Sequence, residues 1–288
     1  MENDTMIFAP RQIFQYIRNT VISSLRVVFQ LFLNILFTND PKKVGQLWLN
    51  GRCQFVWLRE HVGRKIALRM FEKKESRFFL KTIKEGAICL DIGANVGYYT
   101  NLFASRVGEK GRVIAVEPVS RNVLLIQLAS NINNTDAVVK VISAAVSDTD
   151  SSLSLSQIDD SSYASISVAG KKEAGQVQAI TLDALCKGLE LPRIDILKMD
   201  IEGFEYRALQ GMQKILSDRV VRPKLMMIEL YSDHLQKFGS SISQICDYLN
   251  HFGYEPHVLD NSGNLVPFRT EHHNKIYNVF FIEGNAEV

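Results

Sequence analysis

Cysteine is scarce and scattered. The 288-residue chain has four, Cys53, Cys89, Cys186 and Cys246, far apart and without metal-ligand spacing. Neither a disulfide framework nor a zinc site has a pattern to rest on, and the expectation is reduced thiols in a cytoplasmic protein with no metal site. An overall excess of one charge is missing too, with 33 Lys/Arg against 31 Asp/Glu. That balance hides an asymmetry: residues 1–86 carry 15 basic and 7 acidic side chains (+8), and residues 87–288 carry 18 and 24 (−6). The larger, net-negative part opposes binding to a phosphate backbone, so no nucleic-acid partner is expected. The basic part either faces something anionic, such as a membrane surface, or merely solvates an accessory helix.

A clean membrane-spanning run is lacking as well. Residues 21–37 are very apolar, yet Arg26, Gln30 and Asn34 fall four apart and draw a polar stripe along one side. A spanning helix keeps such a stripe only against protein or water. Glu2 and Asp4 make the start acidic and no small-residue cleavage site follows, so a secretory signal is not expected. An amphipathic helix over residues 11–37 is expected, packed on the core or lying peripherally on a membrane. With 46% hydrophobic and 22% charged residues, the chain can bury one large core plus an accessory segment. The division expected is an N-terminal, mainly helical accessory segment over 1–75 and a main domain over 76–288.

The most informative stretch is residues 87–100, Ala-Ile-Cys-Leu-Asp-Ile-Gly-Ala-Asn-Val-Gly-Tyr-Tyr-Thr. Residues 87–90 read as a buried strand ending at Asp91. Gly93 and Gly97 open a tight turn, and residues 98–107 read as a helix. Strand, glycine turn and helix build a nucleotide-like pocket in an open parallel sheet, and the glycines are expected to let a ligand approach the backbone. The second glycine of the dinucleotide fingerprint is absent, however. A carboxylate at the strand end would repel a pyrophosphate, whereas it suits the free ammonium of S-adenosylmethionine. Glu117, twenty residues past Gly97 at the end of a second strand, can accept hydrogen bonds from both ribose hydroxyls. Together Asp91 and Glu117 favour a methyl donor over NAD.

Downstream, strands and helices alternate, which implies a mostly parallel sheet with helices on both faces. Residues 120–131 read as a helix with Val123, Leu124, Gln127 and Leu128 on one side. Residues 138–145 read as the third strand, with Ala144 and Ala145 leaving room for a flat base. Residues 149–180 interrupt the alternation with short serine-rich strands and a charged loop, a candidate substrate lip. Thr181 is placed to cap a helix over 181–188.

The second informative stretch is residues 194–205, Ile-Asp-Ile-Leu-Lys-Met-Asp-Ile-Glu-Gly-Phe-Glu. Alternation along a strand puts Ile196, Lys198 and Asp200 on one face, with Glu202 joining if the chain stays extended. Glu202 could instead cap the helix that follows. A strand over 224–231 brings Glu229 and Tyr231 to the same end. His234, in the loop beyond, titrates near neutrality and could act as a base.

These motifs carry a resemblance. Asp-Ile-Gly-Ala-Asn-Val-Gly-Tyr-Tyr-Thr, then Val-Glu-Pro, Ile-Thr-Leu-Asp-Ala-Leu, Leu-Lys-Met-Asp-Ile-Glu-Gly-Phe-Glu and Met-Ile-Glu-Leu, in that order over residues 86–232, resemble the FkbM family of S-adenosylmethionine-dependent methyltransferases. The resemblance implies a doubly wound α/β fold with the seven-stranded, Rossmann-like sheet of class I methyltransferases. It also implies methyl transfer to oxygen, on a small-molecule or glycan acceptor: a hydroxyl of a sugar or of a secondary metabolite. Carried over by position, Asp91, Gly93, Asn95 and Gly97 would hold the methionine portion of the donor, and Glu117 the ribose. Ala94, Tyr98, Pro118 and Ala145 are further candidates for cofactor binding. Asp200, Glu202, Lys198 and His234 are the catalytic candidates, with Asp200 as the base oriented by Lys198. A divalent cation on Asp200 and Glu202 is the alternative way to acidify a hydroxyl. Rival functions are a non-catalytic cofactor-binding or membrane-scaffold module, and a nucleic-acid methyltransferase. Against the latter, the Asn/Asp-Pro-Pro-aromatic run of amino-methylating enzymes is replaced here by Asp200-Ile-Glu-Gly.

Overall fold

A computed structural model describes residues 44–49, 51–157, 164–166, 173–269 and 276–284. The helix expected over residues 11–37 lies outside the described residues. Residues 44–288 make one compact unit.

In chain order the elements begin with the hairpin β1 (Val44–Leu49) and β2 (Arg52–Trp57), followed by helices α1 (His61–Ala67) and α2 (Lys73–Thr82). The alternating part then runs β3 (Ile88–Ile92), α3 (Tyr98–Val107), β4 (Arg112–Val116), α4 (Ser120–Ile132), β5 (Val139–Ile142). Next come β6 (Ala145–Val146), β7 (Ser151–Gln157), β8 (Ala164–Ile166), β9 (Glu173–Ile180) and α5 (Leu182–Gly188). The chain continues through β10 (Ile194–Met199), α6 (Glu205–Gln210), α7 (Gln213–Ser217), β11 (Pro223–Tyr231), α8 (Ser232–Lys237) and α9 (Ile242–Asn250). It closes with β12 (Tyr254–Leu259), β13 (Leu265–Pro267) and β14 (Ile276–Glu283).

The main sheet is ordered β13-β12-β14-β11-β10-β3-β4-β5. Strands β5, β4, β3, β10 and β11 are parallel, and β14 runs antiparallel to both of its neighbours. This is the doubly wound α/β arrangement expected, seven strands with a short eighth, β13, hairpinned onto one edge. The winding reverses between β3 and β10, the place where open α/β sheets leave a crevice at their carboxyl ends.

The strands are short apolar runs buried on both faces, as sandwiched parallel strands must be; every residue of β3 is buried. One face packs Leu90, Ile92, Leu197, Met199, Met226 and Ile228 against the helices that follow β9, β10 and β11. The other packs Cys89, Ile196, Leu225, Met227 and Phe280 against Phe79 of α2 and Tyr99 and Phe103 of α3. The third strand is shorter than the expected 138–145. Ala145 and Val146 leave the main sheet and pair with Ala179 and Ile180 of β9, starting a four-stranded sheet β6-β9-β7-β8. The serine-rich segment is thus a β-structure of its own. Thr181 caps α5, its Oγ1 accepting from Ala184 N at 3.2 Å.

α4 turns differently from the expectation. Leu124 and Leu128 are exposed, and the buried face is Asn122, Val123, Leu125, Ile126, Ala129 and Ser130. Asn122 on that face serves the hairpin and the site. Trp57 Nε1 donates to Asn122 Oδ1 at 2.8 Å, and Gln54 Nε2 donates to Val96 O at 2.7 Å in the glycine loop. Gln54 Oε1 in turn accepts from Asn101 Nδ2 at 2.7 Å. β2 therefore braces the loop between β3 and α3 from behind.

Candidate active site

The loop after β3 is fixed by backbone hydrogen bonds on both sides. Gly93 N and Ala94 N donate to Val116 O at 2.9 and 3.1 Å, and Asp200 N donates to Ile92 O at 3.0 Å. Gly93 has φ +75°, and a Cβ there would overlap the Asp200 carbonyl; a Cβ on Gly97 (φ +80°) would stand 2.9 Å from Ile126 Cγ1. The two glycines are thus required by contacts within the protein, not only by ligand approach. Asn95 (φ 50°), Glu202 (φ 59°) and Glu72 (φ 32°) also adopt the left-handed conformation that costs a side-chain-bearing residue energy. Such residues collect at sites where the surroundings over-determine the backbone.

Beyond that loop lies a cleft lined by Gly93, Asn95, Val116, Glu117, Pro118, Val119, Asn122, Ala144, Ala145, Val146, Asp200, Ile201 and Glu202. Glu117 is 5% exposed. Its Oε2 accepts from Asn95 N at 2.8 Å, and its Oε1 from Val119 N at 3.0 Å and Asn122 Nδ2 at 3.3 Å. Burial raises its pKa to about 7 against the pull of those donors. Of the expected donor-binding residues, Gly93, Asn95, Glu117, Pro118 and Ala145 line the cleft, whereas Asp91, Ala94, Gly97 and Tyr98 do not. Asp91 is fully buried behind it, with Oδ2 accepting from Thr100 Oγ1 at 2.6 Å. Asn122, Val119 and Ile201 were not legible as cleft residues, because nothing in their local sequence marks them.

Next to the cleft stands Lys198. Strand register puts it directly beside Asp91 of β3. Its Nζ lies 3.8 Å from Asp91 Oδ1 and 3.6 Å from Asp200 Oδ2, and donates to Gly93 O at 3.2 Å. The Tyr99 ring lies beside the ammonium, with its centroid 5.6 Å away. Burial works against the charge of Lys198, but Asp200 and Asp91, then Glu72 and Glu229, hold its pKa above the ordinary lysine range. Tyr99 Oη donates to Glu72 Oε2. Burial lifts Glu72 to about 7, with the Tyr99 hydrogen bond and Lys198 opposing. Glu229, two residues beyond the Met227 that pairs with Lys198, has its pKa raised by Asp200 first and by burial second. Asp91 and Asp200 thus flank one buried cation, with Glu72 and Glu229 within its electrostatic reach. The link between Glu72 and Tyr99 bridges 27 positions, and no local pattern announces it.

Glu202 and His234 meet, with His234 Nδ1 2.7 Å from Glu202 Oε2. Burial raises the Glu202 pKa and the histidine lowers it. The histidine sits in the short helix α8 and not in a loop. The turn after Asp200 is held by Glu205, whose Oε1 accepts from Ile201 N at 3.0 Å and Gly203 N at 3.2 Å, so Glu202 is left facing His234. Asp200, Glu202, Lys198 and His234 therefore come together at the carboxyl end of β10. Among the described residues no group of three or more His, Cys, Asp or Glu side chains is arranged to hold a metal ion. Among them, too, no helix is long and apolar enough to cross a membrane.

The sequence matches the methyltransferase FkbM domain over residues 91–256. The chain belongs to the FkbM methyltransferase family. That match runs from the strand-end Asp91 to β12, and with the strand order it makes the fold a Rossmann-like class I methyltransferase fold. No curated protein matches the sequence. Among solved structures, an FkbM methyltransferase from Methylobacillus flagellatus KT is 13% identical with a TM-score of 0.44; the similarity covers 72% of this chain and 50% of that one. An S-adenosylmethionine-dependent O-methyltransferase from Thermotoga maritima is 12% identical (TM-score 0.42, 86% and 80% covered). An rRNA methylase from Streptococcus thermophilus is 10% identical (TM-score 0.42, 73% and 93% covered).

The cleft of this FkbM methyltransferase fits S-adenosylmethionine better than a dinucleotide. Glu117 retains acceptor capacity for hydroxyl donors, and Ala144 and Ala145 line the cleft with small side chains. Glu117, Asp200 and Glu202 all line the cleft, where a pyrophosphate would meet three carboxylates.

Proposed function

We propose that this chain transfers a methyl group from S-adenosylmethionine to a hydroxyl oxygen of a sugar, glycan or secondary metabolite. The observation that carries the reading is the position of Asp200, which lines the cleft and also stands 3.6 Å from Lys198 Nζ. One carboxylate thus faces both the donor side and the charged cluster.

When bound, the donor supplies an electrophilic methyl on a sulfonium, so the protein's tasks are alignment and proton transfer. Glu117 takes the ribose hydroxyls, with Asn95 and Ala145 along the cleft. Asp200 accepts the proton of the acceptor hydroxyl as its oxygen attacks. Lys198 orients that carboxylate and compensates its charge. The charge on Asp200 raises the pKa of the neighbouring Glu229. The Glu202–His234 pair holds a second acceptor hydroxyl. Asp91 supports the loop through Thr100 and Lys198 and does not meet the ammonium directly.

The donor half is tested by calorimetry with S-adenosylhomocysteine. Micromolar binding is expected for the wild type, about −8 kcal/mol, with at least tenfold weakening in Glu117→Ala. The acceptor half is tested by turnover on a panel of hydroxylated glycans and metabolites. Asp200→Asn should lose on the order of 10²–10⁴-fold at saturating acceptor, and near-wild-type turnover would remove Asp200 as the base. Faster methylation of an rRNA fragment than of any hydroxylated acceptor would overturn the assignment of substrate class.

A further inference from the structure

A second cavity, of about 390 Å³, shares no lining residue with the donor cleft. It lies between the hairpin and α1 on one side and the outer faces of α2 and α3 on the other. Four cationic side chains line it: Arg52, Arg69, Lys73 and Arg77. Among the described residues none of the four makes an ion pair; Arg69 Nη2 reaches only Trp48 O, at 3.5 Å. Arg69, Lys73 and Arg77 are exposed and Arg52 is half-buried, so the charges gather at the mouth. Behind them Ile66, Phe71, Leu80 and Leu102 give an apolar wall beside the polar Gln54, Ser76, Asn101 and Ser105.

Two further features favour an anion there. Lys73 opens α2, where the helix dipole is positive; Glu75 lies in the same turn, and no side chain caps that end. Like charges around one cavity also repel until a counter-charge joins them. Three guanidinium forks and an ammonium suit the oxygens of a doubly charged phosphate. The apolar wall of Phe71, Leu80 and Leu102 suits an apolar substituent on that phosphate.

We infer that this cavity binds a phosphate monoester bearing an apolar group, the chemistry of an anionic lipid headgroup with the start of its chains. The phosphate is held by Arg52, Arg69, Lys73 and Arg77, and the apolar part lies on Phe71, Leu80 and Leu102. The cavity is close to the charged cluster: Tyr98 lines it, Tyr98 and Tyr99 have ring centroids 5.4 Å apart, and Tyr99 adjoins Lys198. The inference rests on the cavity alone and holds whether or not the methyl acceptor is a hydroxyl.

The full chain is titrated calorimetrically with three probes below their micelle concentrations: dihexanoyl phosphatidic acid, dihexanoyl phosphatidylcholine and inorganic phosphate. Phosphatidic acid should bind at least tenfold more tightly than either of the others. The double variant Lys73→Ala/Arg77→Ala, on an exposed helix face, should weaken it tenfold or more, and Arg69→Gln, on a different element, should weaken it as well. Equal affinity for phosphatidylcholine would overturn the anionic part of the inference. Equal affinity for inorganic phosphate would overturn the apolar part and leave a site for free anions. Unchanged affinity in both variants would place the ligand elsewhere.

Discussion

Glu117 and the acids around Lys198 stand near the same edge of the sheet, but they are held in opposite ways. Glu117 is ringed by neutral donors: two backbone N–H groups and an amide. Asp91 and Asp200 instead flank one ammonium, whose charge also reaches Glu72 and Glu229. Neutral donors fix the position of the Glu117 carboxylate, and Lys198 acts on it least, after burial and those hydrogen bonds. A shared cation ties every acid's protonation to the others, so that the charge on Asp200 raises the pKa of Glu229. The first arrangement is suited to holding a ligand, and the second to redistributing charge during a reaction.

The comparison is tested most severely by removing the cation. Lys198→Met leaves buried acids without their partner and should cost about 3–5 kcal/mol in urea unfolding. Glu117→Gln keeps an accepting oxygen and should cost about 1–3 kcal/mol for the donor left unmatched. Equal losses would erase the distinction between the two groups. Gly93→Ala introduces both a side chain at φ +75° and an overlap with the Asp200 carbonyl. It should cost roughly 1–3 kcal/mol, more than Gly97→Ala, where the flexible Ile126 side chain can give way; thermal unfolding of the two variants decides the order.

The pH dependence of stability sharpens the same contrast. Glu72, Glu117 and Glu205 each have a native pKa raised by burial to about 7, against about 4.5 when unfolded. Between these values the native state keeps protons that the unfolded state has lost, so stability should fall as pH rises from about 4.5 to 7 and level off above. Saturating S-adenosylhomocysteine, by donating hydrogen bonds to Glu117, should flatten that decline more than it would in Glu117→Gln. A midpoint that rises over this range would contradict the assignment. The smallest effect belongs to a position outside both groups: Thr181→Ala removes the cap of α5 and should cost about 1 kcal/mol without changing ligand affinity.

Elements governed by local pattern were legible in the sequence. The helix over 98–107 and the strand over 194–199 stand where alternation and the glycine turn put them, and with them the Lys198–Asp200 pairing. Contacts between distant segments were not legible. Glu72 looks like an ordinary surface residue opening a helix until Tyr99, on another helix, reaches it. α4 misleads for a related reason. Asn122 and Ser130 look like outward-facing residues, yet Asn122 connects Trp57 to Glu117, and Leu124 and Leu128 between them face outward. The glycines of the turn were identified, but the reason for them changed: the immediate neighbours of their missing side chains are Asp200 and Ile126.

The close contact between Gly93 and Asp200 has a mechanical consequence. Asp200 N is hydrogen-bonded to Ile92 O, Lys198 Nζ to Gly93 O, and no Cβ separates the two backbones. The loop that borders the donor and the turn that carries the proposed base therefore behave as one part, like two jaws cut from a single block. The gap between them is set when the chain folds and not when substrates arrive. Any change that lets one jaw drift carries the other out of true, so it should slow turnover before it weakens the grip on either ligand.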